Sequence, residues 1–193
     1  MEMLYHGSIA KDIKVMKPIS KFHDNPEKTV VYLTQSKLYS LFYIWDEKKT
    51  NSKCKHVTCW CKNGIVYYEE QYSNQLQKLY DGVSGYIYSF KKDSSFYQAK
   101  SEHIWVSDTT VRVTGHEKVI DVYNLLLDYE KNGKLVIYRF EDLYPKQKEI
   151  VINKVADWIL MKDMLNVECE EARFIKKNNQ LAWERALELS KIL

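Results

Sequence analysis

The sequence predicts a mixed α+β fold with most of its strands early in the chain and most of its helices late. Short runs rich in Tyr, Val, Ile and Trp recur up to residue 113, which is typical of strands. Asn63-Gly64 separates two of these runs, and such a pair is a strong hairpin signal. From about residue 119, apolar residues recur at helical spacing instead.

The first part of the chain alternates between predicted strands and short helices. Strands are predicted over residues 3–6, 30–34, 56–62, 65–71, 84–90 and 103–113. Helices are predicted over residues 36–47 and 73–80, and Asp81-Gly82 ends the second one. Ser8 is expected to cap a further short helix over residues 9–13.

The part of the chain from Val119 onward is predicted to be mainly helical. A helix from Val119 stops near Asn132-Gly133, and a last strand covers residues 135–138. Pro145 opens a longer helix, and a final helix carries Trp183. We therefore divide the chain into residues 1–143 and a helical appendage of residues 144–193. The appendage is expected to pack on the core, and the protein is expected to be a monomer.

Composition narrows the class of protein only broadly. With 45% apolar and 28% charged residues, the chain has the make-up of a globular domain. A formal net charge of +3 gives no electrostatic footprint for non-specific nucleic-acid binding. No leader and no membrane-spanning apolar run is evident, so a cytoplasmic location without membrane partners is expected.

The four cysteines do not form a recognisable framework. Cys54, Cys59, Cys61 and Cys169 are too scattered for a set of disulfides. Cys54-x-His56-x-x-Cys59-x-Cys61 lacks the Cys-x-x-Cys pairs of structural zinc sites. We expect small apolar thiols in the core and no metal.

Three short motifs are candidates for chemistry. His6-Gly7 ends the first predicted strand, and Tyr32 lies near the end of the second. If Tyr32 is position i, Ser40 and Tyr43 are positions i+8 and i+11, on the arc of the next helix opposite its apolar residues. The apolar arc should face the core, and it consists of Leu38, Leu41, Phe42 and Trp45.

The third motif is a glutamate before a late strand. Glu102 precedes a run in which Ile104 and Val106 alternate with other residues. Glu102 is preferred because it opens an apolar strand that follows several others. The glutamates that compete for the same role are Glu69, Glu70 and Glu117.

This order of motifs resembles the His-Tyr-Glu branch of the ADP-ribosyltransferases, which includes diphtheria toxin and the poly(ADP-ribose) polymerases. In the polymerases, a Ser at i+8 and a Tyr at i+11 follow the strand Tyr, and the Tyr at i+11 holds nicotinamide. The same offsets from Tyr32 reach Ser40 and Tyr43. The resemblance implies a split two-sheet core and NAD as substrate.

The resemblance also implies residue roles. His6 would bond the adenosine ribose, and the backbone of Gly7 would pair with the carboxamide of nicotinamide. Glu102, His6 and Tyr32 would form the catalytic set, with Glu102 gripping the ribose 2′-hydroxyl. The NAD-binding set would be His6, Gly7, Tyr32, Ser40 and Tyr43.

The chemistry of NAD cleavage suits these residue types. Breaking the nicotinamide–ribose bond passes through an oxocarbenium-like state, which a fixed carboxylate stabilises. Nicotinamide needs an aromatic face to stack on and a backbone donor–acceptor pair for its carboxamide. A ribose hydroxyl needs a polar partner such as His or Ser.

The acceptor and the exact reaction stay open at this point. The arginine-modifying members of the superfamily have Glu-x-Glu spacing, but here Lys100 stands two positions before Glu102, so arginine is not the expected acceptor. A protein, a nucleic acid or a small molecule could accept ADP-ribose. An RNA 2′-phosphotransferase also uses NAD on this fold, but it needs Arg forks, and no Arg precedes Arg112. A non-catalytic nucleotide-binding module and an unrelated Tyr-rich binding domain are also compatible with the sequence.

Overall fold

The computed structural model describes residues 2–50 and 57–191. Within them the chain forms two compact units. Of the described residues, the first contains 2–45 and 80–132, and the second contains 46–50, 57–79 and 133–191. The second unit therefore joins the C-terminal helices to two earlier stretches, which differs from a division at residue 144. The mixed α+β class is confirmed.

Strands are numbered along the described chain. They are β1 Met3–Ser8, β2 Val15–Met16, β3 Ser20–Phe22, β4 Asn25–Thr34, β5 Thr58–Lys62, β6 Ile65–Glu69, β7 Gly85–Lys91, β8 Tyr97–Gln98, β9 Ile104–Ser107, β10 Val111–Arg112, β11 Gly115–Val119 and β12 Leu135–Tyr138. The α-helices are α1 Lys37–Ser40, α2 Glu47–Thr50, α3 Gln75–Tyr80, α4 Val122–Lys131, α5 Pro145–Met161, α6 Glu170–Asn178 and α7 Gln180–Ser190, with 3-10 turns at Leu41–Tyr43 and Phe140–Asp142.

An antiparallel sheet dominates the first unit. Its strand order is β11-β7-β1-β4-β9-β8, and β3 pairs with β4 outside this path. One face buries Leu4, Leu33, Tyr88 and Phe90 in a common cluster. The strands β10 and β2 form a separate two-stranded sheet. Alternating apolar residues thus build the sheet as their period of two requires.

The predicted strand over residues 103–113 is interrupted. β9 ends at Ser107, whose hydroxyl accepts a hydrogen bond from the Thr109 N–H at 3.3 Å. This side-chain turn competes with the sheet ladder, so β10 begins only at Val111. β11 was not predicted because its sequence His116-Glu117-Lys118 is polar, as an edge strand permits.

The predicted helix over residues 36–47 is shorter than expected. Ser36 caps α1 by accepting from the Tyr39 N–H at 3.1 Å, and a 3-10 turn continues to Tyr43. Ile44 then becomes extended and fully buried. The apolar residues that face the core as predicted are Leu38, Leu41 and Phe42.

The helix predicted over residues 9–13 is wrong. Ser8 ends β1 instead, and its hydroxyl accepts from the Ala10 N–H at 3.1 Å. This bond closes a local turn and uses the Ser8 hydroxyl, which would otherwise have capped the helix.

The second unit holds a three-stranded sheet in the order β12-β6-β5. Asn63 and Gly64 have φ of 52° and 76°, which confirms the predicted hairpin. β12 runs parallel to β6. Cys59 and Cys61 on β5 are half-buried rather than in the core, while Cys54 lies outside the described residues.

The C-terminal helices cover one another's apolar faces. Val155 and Ile159 of α5 share a buried cluster with Ile175 of α6 and with Trp183 and Ala186 of α7. The helix predicted to begin at Pro145 and the final helix with Trp183 are thus confirmed, whereas α6 was not predicted. In the part of the chain that the structure describes, no helix is both long and apolar enough to cross a bilayer.

Candidate functional site

The two central strands of the first unit separate near His6. β1 pairs with β7 over all six of its residues but with β4 only at Tyr5 opposite Thr34. In this antiparallel register the next residues to pair would be Gly7 and Tyr32, and that pair is not formed. A gap therefore opens between β1 and β4 at the strand end predicted to be functional.

The backbone of Gly7 points into this gap. Lys92 N–H donates to the Glu2 carbonyl at 3.1 Å, so the even-numbered residues of β1 turn their backbone groups toward β7. Odd-numbered residues, including Gly7, turn theirs toward β4. The donor and the acceptor of one residue thus face the gap together, which is the pattern that a carboxamide can pair with.

The His6 ring lies across the same gap. Its Nδ1 is 2.7 Å from the Tyr32 carbonyl oxygen. Because a carbonyl only accepts, Nδ1 carries the proton, and Nε2 is the acceptor nitrogen when the ring is neutral. The ring also stacks on Tyr43, with centroids 5.3 Å apart and planes at 28°. The carbonyl and Tyr43 together fix the ring's position.

Gly7 is required by packing as well. A Cβ at this position would lie 2.1 Å from the Ser40 carbonyl oxygen and 2.7 Å from Ile44 Cγ1. A Cβ at Gly85 would likewise meet Ile44 Cγ2 at 2.6 Å. Ile44 is therefore wedged over two glycines on adjacent strands. Sequence reasoning missed Ile44, because the helix predicted over residues 36–47 includes it and its apolar arc does not.

Ser40 and Tyr32 contribute to the candidate site mainly through their backbone carbonyl groups. Ser40 is fully buried, and its hydroxyl donates to the Lys37 carbonyl at 2.7 Å. The Tyr32 hydroxyl accepts from His23 N–H at 2.8 Å and donates to the Lys21 carbonyl at 3.1 Å. Burial raises the pKa of Tyr32 above its usual 10.0, although the bond from the His23 backbone opposes this.

A cavity of about 310 Å³ adjoins His6. His6, Ser8 and Tyr32 lie on its wall, together with apolar residues that include Met16 and Val31. This volume is at the lower end of the range for small-molecule sites. Sequence reasoning gave no signal for the part of the wall formed by residues 13–20, because that segment has no periodic pattern.

The structure brings the five candidate NAD-binding residues together at the end of β1. The Tyr32 carbonyl and the Tyr43 ring both contact the His6 ring. The Ser40 carbonyl lies over the face of Gly7 that a side chain would occupy. The binding set predicted from the sequence is therefore one local cluster.

Glu102 lies apart from this cluster, exposed in the turn before β9. Its carbonyl accepts from Gln98 Nε2 at 2.6 Å. Val106 lies opposite Tyr32 in the sheet. Ile104, where β9 begins, is two residues along the strand from Val106, or roughly 7 Å at a rise of about 3.3 Å per residue, and Glu102 lies beyond it in the turn.

The competing glutamates have different surroundings. Glu117 lies on the same row of the sheet as Gly7, with Ile87 between them, at roughly 10 Å for two strand spacings. Its carboxylate pairs with Lys37 Nζ at 2.6 Å.

Glu70 belongs to the second unit and has a structural task. It is buried, and its carboxylate accepts from Leu76 N–H at 2.9 Å and from Phe140 N–H at 3.2 Å. Its neighbour Glu69 forms an ion pair with Lys154 at 3.8 Å. Both carboxylates are therefore engaged by groups of the second unit itself.

No site of metal-ligand type is evident among the described residues. No three His, Cys, Asp or Glu side chains converge there around a common point. Comparison of the chain with family models, curated proteins and solved structures gives no match.

Proposed function

We propose that this chain is an NAD-dependent ADP-ribosyltransferase whose first unit binds nicotinamide in the gap between β1 and β4. One observation carries the proposal: the Gly7 N–H and C=O face this gap beside the stacked rings of His6 and Tyr43. A primary carboxamide offers one acceptor and two donor hydrogens, so it pairs with such a backbone edge. The planar pyridine ring stacks on Tyr43.

In this proposal the cavity next to His6 takes the adenosine ribose of NAD. The protonated Nδ1 of His6 is already committed to the Tyr32 carbonyl, so Nε2 accepts from a ribose hydroxyl.

Glu102 is the proposed carboxylate that stabilises the oxocarbenium-like transition state. Its turn is exposed, so NAD binding must bring it and the ribose together. Glu117 is the alternative, since it shares a sheet row with Gly7, but its ion pair with Lys37 must then be replaced during the reaction.

The experiment measures nicotinamide release and NAD binding on the same protein preparations. Wild-type protein should bind NAD with a rise in melting temperature, because a ligand that binds only the folded state stabilises it. Glu102→Gln should lower release by about 10²–10³ while NAD affinity changes far less. Glu117→Gln is the matched control and should release nicotinamide at the wild-type rate.

The outcomes separate the candidate functions. The reverse pattern for the two variants would assign catalysis to Glu117. NAD binding without release in any variant would favour a non-catalytic nucleotide-binding module. No thermal shift with NAD or nicotinamide at millimolar concentration would refute the proposal. An Arg cluster, which a 2′-phosphotransferase needs, is missing from the described residues of the first unit, where only Arg112 occurs.

A further inference from the structure

The second unit carries three aromatic rings on one face of its sheet. Trp60 of β5, Tyr67 of β6 and Tyr138 of β12 form what we call the aromatic patch. Trp60 lies directly opposite Tyr67, and Tyr67 lies opposite Val136, two residues before Tyr138, so alternation puts all three side chains on the same face. Trp60 is 36% exposed and Tyr138 is 39% exposed. This face therefore presents aromatic surface to solvent.

The three rings share one orientation. Their planes differ by 7° to 13°, and their centroids are 5.3, 6.1 and 6.2 Å apart. Because the three separations are nearly equal, the rings form a cluster rather than a column. A planar ring that stacks on one member consequently lies parallel to all three. Aromatic cross-strand pairs also stabilise a sheet, but this structural role does not require the two outer rings, Trp60 and Tyr138, to be exposed.

The charge beside the aromatic patch is positive. Lys62 lies two residues after Trp60 on β5, so it projects from the face of the patch, and Lys134 directly precedes β12. Both are exposed, and neither forms an ion pair with another described residue. The acidic side chain on this face, Glu69, is half-buried and pairs with Lys154 at 3.8 Å.

We propose that the aromatic patch binds single-stranded nucleic acid, with bases stacked on Trp60 and Tyr138 and phosphates near Lys62 and Lys134. Unpaired bases offer planar faces to aromatic side chains, whereas the bases of a duplex stack on one another. A carbohydrate would also stack, but a neutral sugar carries no charge that complements the two ammonium groups, whereas the phosphates of a nucleic acid do. The proposal is independent of NAD binding by the first unit.

Binding of fluorescein-labelled 12-nucleotide oligo(U) and oligo(dT) to the full chain, followed by fluorescence anisotropy, tests the proposal. Trp60→Ile and Tyr138→Ile keep apolar bulk and strand preference but remove the π face. Each should weaken binding by roughly 5- to 150-fold, which corresponds to the stacking contribution of one base. Trp60→Phe and Tyr138→Phe are matched controls and should retain most of the affinity.

The lysines are tested through salt dependence. On a single strand the slope of log K against log salt is about −0.7 per phosphate neutralised, so Lys62→Gln and Lys134→Gln should each reduce the slope by about 0.7. Lys146→Gln, an equal charge change on an exposed residue of α5, should leave the slope unchanged. Far-UV circular dichroism checks that every variant is folded.

Four results would overturn the proposal. One is the absence of anisotropy change with wild-type protein at low salt. Another is equal or tighter binding of a duplex of the same length. The third is wild-type affinity in both folded Ile variants. Binding of cellohexaose or chitohexaose that depends on Trp60, without oligonucleotide binding, would also refute it and would assign the aromatic patch to carbohydrate.

Discussion

Gly7→Ala tests the packing on which the candidate site depends. The added Cβ would lie 2.1 Å from the Ser40 carbonyl oxygen, a distance that real Cβ atoms do not adopt. Because this oxygen belongs to the backbone of α1, the contact is relieved only if the helix and the strand move apart. The same movement would displace Tyr43, which follows Ser40 in the 3-10 turn, from the His6 ring.

The expected loss of stability follows from two opposing effects. Overpacking of a tight interior costs about 1–3 kcal/mol. Replacing Gly by Ala restricts the unfolded chain, which offsets about 0.4–1 kcal/mol. We therefore expect the free energy of unfolding to fall by roughly 1–2 kcal/mol, with weaker nicotinamide binding. Adding Ile44→Ala should not restore stability, because it removes only the 2.7 Å contact and leaves the 2.1 Å one.

Urea unfolding followed by circular dichroism measures this loss, and Gly115→Ala is the control. At Gly115 a Cβ would meet only the Ser89 hydroxyl at 2.9 Å, and that side chain can rotate away. The control should stay within about 0.5 kcal/mol of wild type. If Gly7→Ala proves as stable as Gly115→Ala, or if Ile44→Ala rescues it, the argument from the Ser40 carbonyl is refuted.

Three further predictions concern single side chains. Burial raises the pKa of the Cys61 thiol to about 11, with a smaller effect from Cys59. Iodoacetamide at mildly alkaline pH should therefore modify Cys61 in urea but not in the native protein, and mass spectrometry measures this difference. The unfolded thiol ionises first, so its contribution to stability should be lost as pH rises from about 9 toward 11. Glu70→Gln places an amide donor against backbone N–H groups and should lower the urea-unfolding free energy by about 1–3 kcal/mol. Tyr32→Phe removes the hydroxyl bonds but not the carbonyl that holds His6, so melting curves should show a loss of about 1 kcal/mol and an unchanged shift with NAD.

The sequence predicted those elements whose signal is local. Asn63-Gly64 needs only its own backbone preference to define the hairpin, and Pro145 needs only its fixed φ to begin α5. The long helix over residues 36–47 was wrong because a tertiary contact decides its end. The chain leaves the helix at Ile44 so that this side chain can pack over Gly7 and Gly85, which are far apart in the sequence.

The candidate site also has one part that local sequence predicts and another part that depends on tertiary contacts. The short connection from β4 to α1 places Tyr43 near Tyr32, whereas His6 and Gly7 reach them only because β1 lies beside β4 in the sheet. The position of a glutamate relative to them depends on strand order and register. Local sequence determines neither of these. The choice between Glu102 and Glu117 therefore depends on the structure and on the nicotinamide-release experiment.

A glycine at position 7 has two independent explanations, and they concern different directions from its Cα atom. The missing Cβ would point at α1, where Ser40 and Ile44 fill the space. The N–H and C=O point across the sheet toward β4, where the pairing with Tyr32 is not formed. Packing therefore accounts for the glycine without any ligand. The case for nicotinamide depends instead on the interrupted ladder, because a continued antiparallel ladder would pair the Gly7 backbone with Tyr32.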